Sequence, residues 1–113
     1  MVNKKYVPER GDIVWLNFNP QTGHEQKGKR PAIVVSPKEY NEKTGLGLFC
    51  PITSAIKEYP FEVKIANQKI NGVVLSDQIK SLDWKTRKIK LIIKGTSNIV
   101  DEVIDKVSVL LNG

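Results

Sequence analysis

Residues 11–18 read GDIVWLNF and residues 31–36 read PAIVVS, two apolar stretches rich in β-branched side chains. Such side chains favour strands, and the glycine, aspartate and proline residues around these stretches favour turns. The sequence therefore predicts two strands, residues 13–18 and 32–36, joined by a long polar segment, residues 19–30. Two strands connected in this way are typical of an antiparallel β-sheet.

The remainder of the chain continues this pattern and then changes. Further short strands are predicted at residues 47–52, 61–65, 73–75 and 88–94. From residue 99 to residue 111 the apolar side chains instead recur three and four residues apart, which predicts an amphipathic helix with Asn98 as its N-cap. The sequence thus predicts an α+β, mainly β fold, a small antiparallel barrel or sandwich with a C-terminal α-helix.

The composition suits a single domain spanning residues 1–113, with 40% hydrophobic and 27% charged residues. Cys50 is the only cysteine and lies in an apolar run, so a buried thiol in a reducing compartment is expected. No apolar run approaches the roughly 20 residues of a membrane span, which favours a cytoplasmic protein. The net charge of +6 favours a polyanionic partner such as nucleic acid.

The polar segment is either a solvated loop with incidental charges or a functional loop. RNA supplies its own nucleophile, the 2′-hydroxyl, so an RNA-cutting protein needs a base, a cation for the phosphorane and a proton donor. Glu25 can serve as the base, and Arg30 can bind the phosphate through two hydrogen bonds. His24 is the only histidine, which excludes a two-histidine mechanism, and no ligand cluster in the sequence predicts a metal cofactor.

An ordered series of motifs resembles the MazF/PemK mRNA interferase toxins, and the MazF branch most. The motifs are Gly-Asp-Ile-Val-Trp at 11–15, Asn-Pro at 19–20, Gly-His-Glu-Gln at 23–26, Arg-Pro-Ala-Ile-Val-Val-Ser-Pro at 30–37, Pro-Ile-Thr at 51–53, Tyr-Pro-Phe-Glu-Val at 59–63 and Asp-Gln-Ile-Lys-Ser at 77–81. The resemblance covers almost the whole chain. It implies an SH3-like antiparallel β-barrel of the CcdB/PemK kind with a C-terminal α-helix, acting as a homodimer.

The resemblance also implies an activity. Members of this family cut single-stranded RNA at short preferred sequences without a metal, leaving a 2′,3′-cyclic phosphate and a 5′-hydroxyl. They inhibit translation and growth until an antitoxin lays an acidic C-terminal peptide over the RNA groove. By position, Glu25 corresponds to the general base, Arg30 to the phosphate-stabilising residue, and Thr53 to the threonine that holds the scissile phosphate.

Further residues are suited to RNA binding in this family. They are amides, hydroxyls and lysines: Asn17, Asn19, Gln26, Lys27, Lys29, Ser54, Lys57, Gln78 and Lys80. Asn17 and Asn19 stand where some relatives carry aspartates, so the resemblance does not carry over a cleavage sequence. Residues 54–59 resemble a second loop beside the groove, and Trp84, in the charged run 83–90, is a candidate partner contact.

Two other functions fit the same fold. A gyrase-inhibiting toxin of the CcdB kind depends on a C-terminal Trp-Gly-Ile, whereas this chain ends Leu-Asn-Gly at 111–113. A non-catalytic SH3-like module that binds nucleic acid or peptide leaves the combination of Glu25, Arg30 and Thr53 unexplained. RNA cleavage, gyrase binding or RNA binding without turnover would distinguish the three.

Overall fold

The computed structural model describes residues 5–18, 28–67 and 69–113. In chain order the elements are β1 (Ile13–Asn17), β2 (Lys29–Val34), α1 (Lys38–Thr44), β3 (Leu46–Thr53), β4 (Glu62–Ala66), β5 (Asn71–Leu75), β6 (Lys80–Asp83), β7 (Lys90–Ile93) and α2 (Ser97–Asn112). A 3-10 turn, Ser76–Gln78, connects β5 to β6.

The strands form one seven-stranded antiparallel sheet with β3 at its centre. One edge of β3 pairs with β2, while the other edge pairs first with β6 and then with β5. β1 and β7 continue the sheet beyond β2, and β4 continues it beyond β5. The predicted mainly β, antiparallel fold with a C-terminal helix is confirmed. Within the described residues no pairing joins β4 to β7, so the sheet is not closed into a barrel.

Both faces of the central strands are buried, because successive side chains of a strand point to opposite faces. One face packs against Val100 and Val103 of α2 and contains Ile13, Ile33, Cys50, Ile52, Val63, Ile65 and Val74. The opposite face contains Val14, Leu16, Ala32, Val34, Phe49, Leu82 and Trp84. This two-sided burial explains why the central strands read as continuous apolar runs rather than as alternating ones.

Trp84 is part of this second core, so its prediction as a partner contact is wrong. The side chain is only 6% exposed. Its indole N–H donates to the carbonyl oxygens of Asn41 and Leu46, each at 3.1 Å. The neighbouring charges lie in an exposed turn that begins at Asp83, whose carboxylate accepts a hydrogen bond from the Lys85 amide.

Helix α2 begins earlier than predicted. Its N-cap is Thr96, so the assignment of Asn98 as N-cap is wrong, and Asn98 lies inside the first turn. The Thr96 amide and hydroxyl both donate to the carbonyl oxygen of Gly11, which fixes the start of the helix next to β1. None of the helices in the described ranges is long and apolar enough to span a membrane.

Cys50 occupies the buried position expected of it. Its side chain is fully buried in the core that packs against α2. Burial disfavours the thiolate and raises the pKa of Cys50 to about 12. The thiol is therefore protonated at neutral pH and has a structural rather than a reactive character.

A buried asparagine connects α1 to the rest of the molecule. Asn41 is fully buried, and its amide donates to the carbonyl oxygens of Pro8, at 2.8 Å, and of Ser36, at 3.1 Å. Its own side-chain oxygen accepts the Ser36 hydroxyl. Since its backbone carbonyl also accepts the Trp84 indole, this one residue joins the N-terminal segment, α1 and the second core.

Replacing Asn41 with alanine should lower the free energy of unfolding by about 2–4 kcal/mol, because two buried carbonyl groups lose their donor. Chemical denaturation would measure the change. Glu42→Ala, at an exposed neighbouring position on α1, is the matched control and should change stability by less than about 0.5 kcal/mol. An Asn41→Ala protein as stable as the parent would show that this network is dispensable.

Candidate active site

The pairing of β2 with β3 brings two predicted catalytic residues together. Ala32 lies opposite Pro51, and the register continues as an antiparallel ladder to Val34. Arg30 and Thr53 each lie two residues beyond the last pair of this ladder, so they share the faces of Ala32 and Pro51. Residues directly opposite each other in antiparallel strands project from the same face of the sheet. Arg30 and Thr53 accordingly line one hollow, here called the first cleft.

The first cleft has a volume of about 390 Å³ and is open to solvent. Its lining residues are Arg30, Pro31, Ile52, Thr53, Ser54, Ile70 and Asn71. The backbone of Arg30 is paired with Leu16 of β1, so the strand fixes its position. Its guanidinium is exposed, and none of the residues that the structure describes forms an ion pair with it. The cleft therefore presents a fixed cation that is available to an anionic group.

The Thr53 hydroxyl is oriented by its own loop. Its oxygen accepts a hydrogen bond from the Ala55 amide at 3.1 Å. A hydroxyl has two acceptor sites and one donor, so this contact occupies an acceptor site and leaves the O–H group available. Thr53 can consequently donate to an oxygen anion bound beside Arg30.

A glycine allows β5 to approach Thr53 closely. Gly72 has a φ of +149°, which side-chain-bearing residues rarely adopt. A Cβ atom at this position would lie 2.3 Å from the carbonyl oxygen of Thr53. The backbone of Thr53 is therefore in close contact with β5 at residue 72, where there is no room for a side chain.

Thr53 also borders a second, smaller hollow of about 160 Å³, here called the side recess. Its lining residues are Thr53, Ala55, Lys57, Tyr59, Glu62, Leu75 and Gln78. The Tyr59 hydroxyl donates to the Asp77 carboxylate at 2.7 Å, a contact that raises the pKa of Tyr59 to about 12. The predicted residues Lys57 and Gln78 line this recess, whereas the predicted residue Ser54 lines the first cleft. Thr53 is common to both hollows.

Lys64 lies in the same row across the sheet, and the sequence analysis missed it. It is opposite Val73 of β5, which in turn is opposite Thr53 of β3. Neighbouring strands are about 4.8 Å apart, so the Lys64 backbone lies roughly 10 Å from that of Thr53, with both side chains on one face. Lys64 is exposed. The alternation in residues 61–65 indicated an outward face, but it did not indicate that β4 lies two strands from Thr53.

The other predicted residues are less closely grouped. Lys29 and Lys80 are exposed but line neither hollow, and Asn17 is only 8% exposed. The Arg87 guanidinium holds the end of β1 by donating to the carbonyl oxygens of residues 17 and 18. The predictions for Asn19, Glu25, Gln26 and Lys27 fall outside the described residues. Within the described ranges no group of three or more histidine, cysteine, aspartate or glutamate side chains could hold a metal ion.

Comparison with known proteins identifies the family of this chain. Residues 9–111 match the sequence profile of PemK-like, MazF-like toxins of type II toxin–antitoxin systems. The endoribonuclease toxin MazF of Escherichia coli K12 is 51% identical over 83 residues, which are 74% of this chain and 75% of that protein.

Solved structures extend the match over nearly the whole chain. The crystal structure of MazF from Deinococcus radiodurans is similar with a TM-score of 0.85 and 47% identity, covering 96% of this chain and 100% of that chain. A MazE–MazF crystal structure from the same organism gives 0.83 and 42%, covering 95% and 97%. These matches show that the chain belongs to the PemK-like, MazF-like toxins of type II toxin–antitoxin systems.

Proposed function

We propose that this MazF-like endoribonuclease toxin cuts single-stranded mRNA at short preferred sequences without a metal ion or other cofactor, and thereby inhibits translation and growth. The observation that carries the proposal is the meeting of Arg30 and Thr53 at one solvent-open cleft. A fixed cation and a free hydroxyl donor are the groups that a reacting phosphodiester requires. The similarity to the endoribonuclease toxin MazF supports RNA as the substrate.

The proposed reaction is an internal transesterification. The RNA 2′-oxygen forms a bond to phosphorus while the bond from phosphorus to the 5′-oxygen breaks, which leaves a 2′,3′-cyclic phosphate and a 5′-hydroxyl. The 2′-hydroxyl proton passes to a base, for which Glu25 is proposed, and the departing 5′-oxygen takes a proton from Arg30. Glu25 then releases its proton to water and Arg30 regains one from water, so protons balance. Arg30 and Thr53 donate hydrogen bonds to the non-bridging oxygens, whose negative charge increases in the transition state.

The RNA strand is proposed to follow the basic face around the cleft. The net charge of +6 provides a general attraction to the phosphate backbone. The proposed contacts are the set expected from the sequence together with Lys64: Asn17, Asn19, Gln26, Lys27, Lys29, Ser54, Lys57, Lys64, Gln78 and Lys80. Of these, Ser54 lines the first cleft, and Lys57 and Gln78 line the side recess.

The proposed partners follow from the family. As a type II toxin, the chain is paired with an antitoxin, and the Deinococcus radiodurans MazE–MazF structure is similar over nearly all of this chain. We propose a cytoplasmic homodimer of single-domain subunits, residues 1–113, whose RNA groove is covered by an acidic C-terminal peptide of the antitoxin. The basic charge of the chain favours such a peptide.

The purified protein should cut single-stranded RNA in the presence of EDTA, and Arg30→Ala should reduce kcat by roughly 10²–10³-fold, because the transition-state charge loses its partner. The kcat of Arg30→Lys should lie between those of the parent and of Arg30→Ala, since an ammonium group keeps the charge but cannot make the paired hydrogen bonds of a guanidinium. Mapping the 5′ ends of cleaved transcripts measures both activity and sequence preference.

Arg10→Ala is the matched control for this experiment. Arg10 donates to the Val35 carbonyl and lines neither hollow of the site, so its loss removes one positive charge elsewhere. Its kcat should stay close to that of the parent. Intact RNA with a folded, dimeric protein would disprove the proposal. Gyrase binding would then favour the gyrase-inhibitor alternative, and RNA binding without turnover would favour the non-catalytic module.

Thr53→Val should lower kcat by roughly 10- to 100-fold, because it removes a hydroxyl that bonds a charged group, worth about 1.5–3 kcal/mol. Thr53→Ser retains the donor and should keep most of the activity. Single-turnover cleavage of a short RNA measures both variants. A Thr53→Val protein as fast as Thr53→Ser would contradict the proposed role of the hydroxyl.

Lys64→Ala should weaken binding of an RNA that carries a 2′-deoxy group at the cleavage position. The slope of log affinity against log salt concentration should decrease by about 0.7, the value for one phosphate contact with a single strand. Fluorescence anisotropy at several salt concentrations measures this slope. Lys43→Ala, on α1 and lining neither hollow, should leave it unchanged, and equal slopes for both variants would exclude Lys64 from the RNA track.

A further inference from the structure

The loop between β3 and β4, residues 54–61, is held to the sheet by one carboxylate. Glu62 is the first residue of β4. Its two oxygens accept separate hydrogen bonds from consecutive backbone amides, Lys57 at 2.9 Å and Glu58 at 2.8 Å. Each oxygen of the side chain is therefore engaged with the backbone of the loop, so Glu62, which also lines the side recess, holds the position of that loop.

The Lys57–Glu58 part of the loop depends on this contact. Glu58 has a φ of +61°, a left-handed conformation that is unfavourable for a residue with a side chain. Among the hydrogen bonds of the described residues, only those to Glu62 connect these two amides to the sheet. The other end of the loop has separate anchors: the Tyr59 hydroxyl donates to Asp77, and the Lys106 ammonium donates to the Pro60 carbonyl at 2.7 Å.

This part of the loop forms one wall of the side recess. Lys57 and Tyr59 line the recess from the loop, Leu75 and Gln78 line it from β5 and the turn that follows, and Thr53 lies on its boundary with the first cleft. A group bound in the recess is thus adjacent to a phosphate bound at Thr53. Movement of the Lys57–Glu58 backbone would change the shape of the recess without displacing Arg30.

The chemistry of the recess suits a nucleobase. A half-buried aromatic ring at the edge of a hollow offers a stacking surface for an unpaired base, and a side-chain amide can both donate to and accept from base edges. Tyr59 and Gln78 supply these groups, while Ala55 and Leu75 supply apolar contact.

We propose that Glu62 is a positioning residue for base selection: its carboxylate fixes the Lys57–Glu58 backbone so that the side recess accepts a particular base next to the scissile phosphate. This inference rests on the proposed function. Glu62 does not touch the reacting atoms, so its loss should alter which RNA is chosen rather than how fast the chosen RNA is cut.

The test compares the parent protein with Glu62→Gln, which retains the size of the side chain but replaces one acceptor oxygen with an NH₂ group facing a backbone N–H. The substrates are short RNAs that differ only in the bases flanking the cleavage position. Preference for the best over the worst base should fall about tenfold, through a higher KM for the best RNA. The kcat for that RNA should stay within about twofold. Amide hydrogen exchange at Lys57 and Glu58 should become faster in the absence of RNA.

Glu42→Gln, an exposed position on α1 that makes the same change of charge, is the matched control and should behave as the parent in every measurement. Glu62→Asp keeps both acceptor oxygens on a shorter side chain and should restore part of the base preference. If Glu62→Gln does not fold, Glu62→Asp carries the test, with an intermediate loss of preference expected.

The failures of the two proposals can be told apart. A parent protein that cuts none of the RNAs would overturn the proposed function and this inference with it. A parent that cuts RNA, together with a Glu62→Gln protein of unchanged base preference, would overturn this inference alone. A Glu62→Gln protein with reduced kcat and unchanged preference would also overturn it, because Glu62 would then affect the chemistry or the stability of the site.

Discussion

The antiparallel register between β2 and β3 is the constraint on which the site depends. It pairs Ala32 with Pro51, and the residues just beyond this pair, Arg30 and Thr53, both line the first cleft although they are far apart in sequence. A slip of one residue would turn Arg30 to the opposite face of the sheet and expose part of the core. The two apolar cores hold this register from both sides, so the packing that stabilises the fold also determines the geometry of the site.

Most of the strands and the final helix could be predicted because the spacing of their apolar side chains indicates which side chains are buried. Six of the seven strands and α2 lie where the apolar runs indicated, with boundaries shifted by a few residues. The short elements α1 and β6 could not be predicted, since their residues are largely polar and tertiary contacts hold them in place. Trp84 shows the same limit: its charged neighbours suggested exposure, whereas its indole N–H is satisfied by two carbonyl groups distant in sequence.

Only some residues of the candidate site could likewise be identified from the sequence. Arg30 stood out by its chemistry at the end of a polar segment, but Thr53 is an ordinary strand-terminal threonine that only the family resemblance identified. Lys64 was not identified at all, because its relation to Thr53 passes through two strand pairings that no local pattern encodes. Gly72 likewise matters through a contact with the backbone of a neighbouring strand, and Glu62 through hydrogen bonds to the backbone of the preceding loop, which composition and spacing do not reveal.

The contact between Gly72 and Thr53 has a consequence for how the protein tolerates mutation. Gly72 has no functional group, yet a methyl group there would collide with the main chain that carries the Thr53 hydroxyl. A selection for cells that survive expression of the toxin would therefore recover changes at residue 72 as well as changes at the cleft itself. Under the proposed mechanism, the activity of the cleft depends on the absence of a side chain at residue 72.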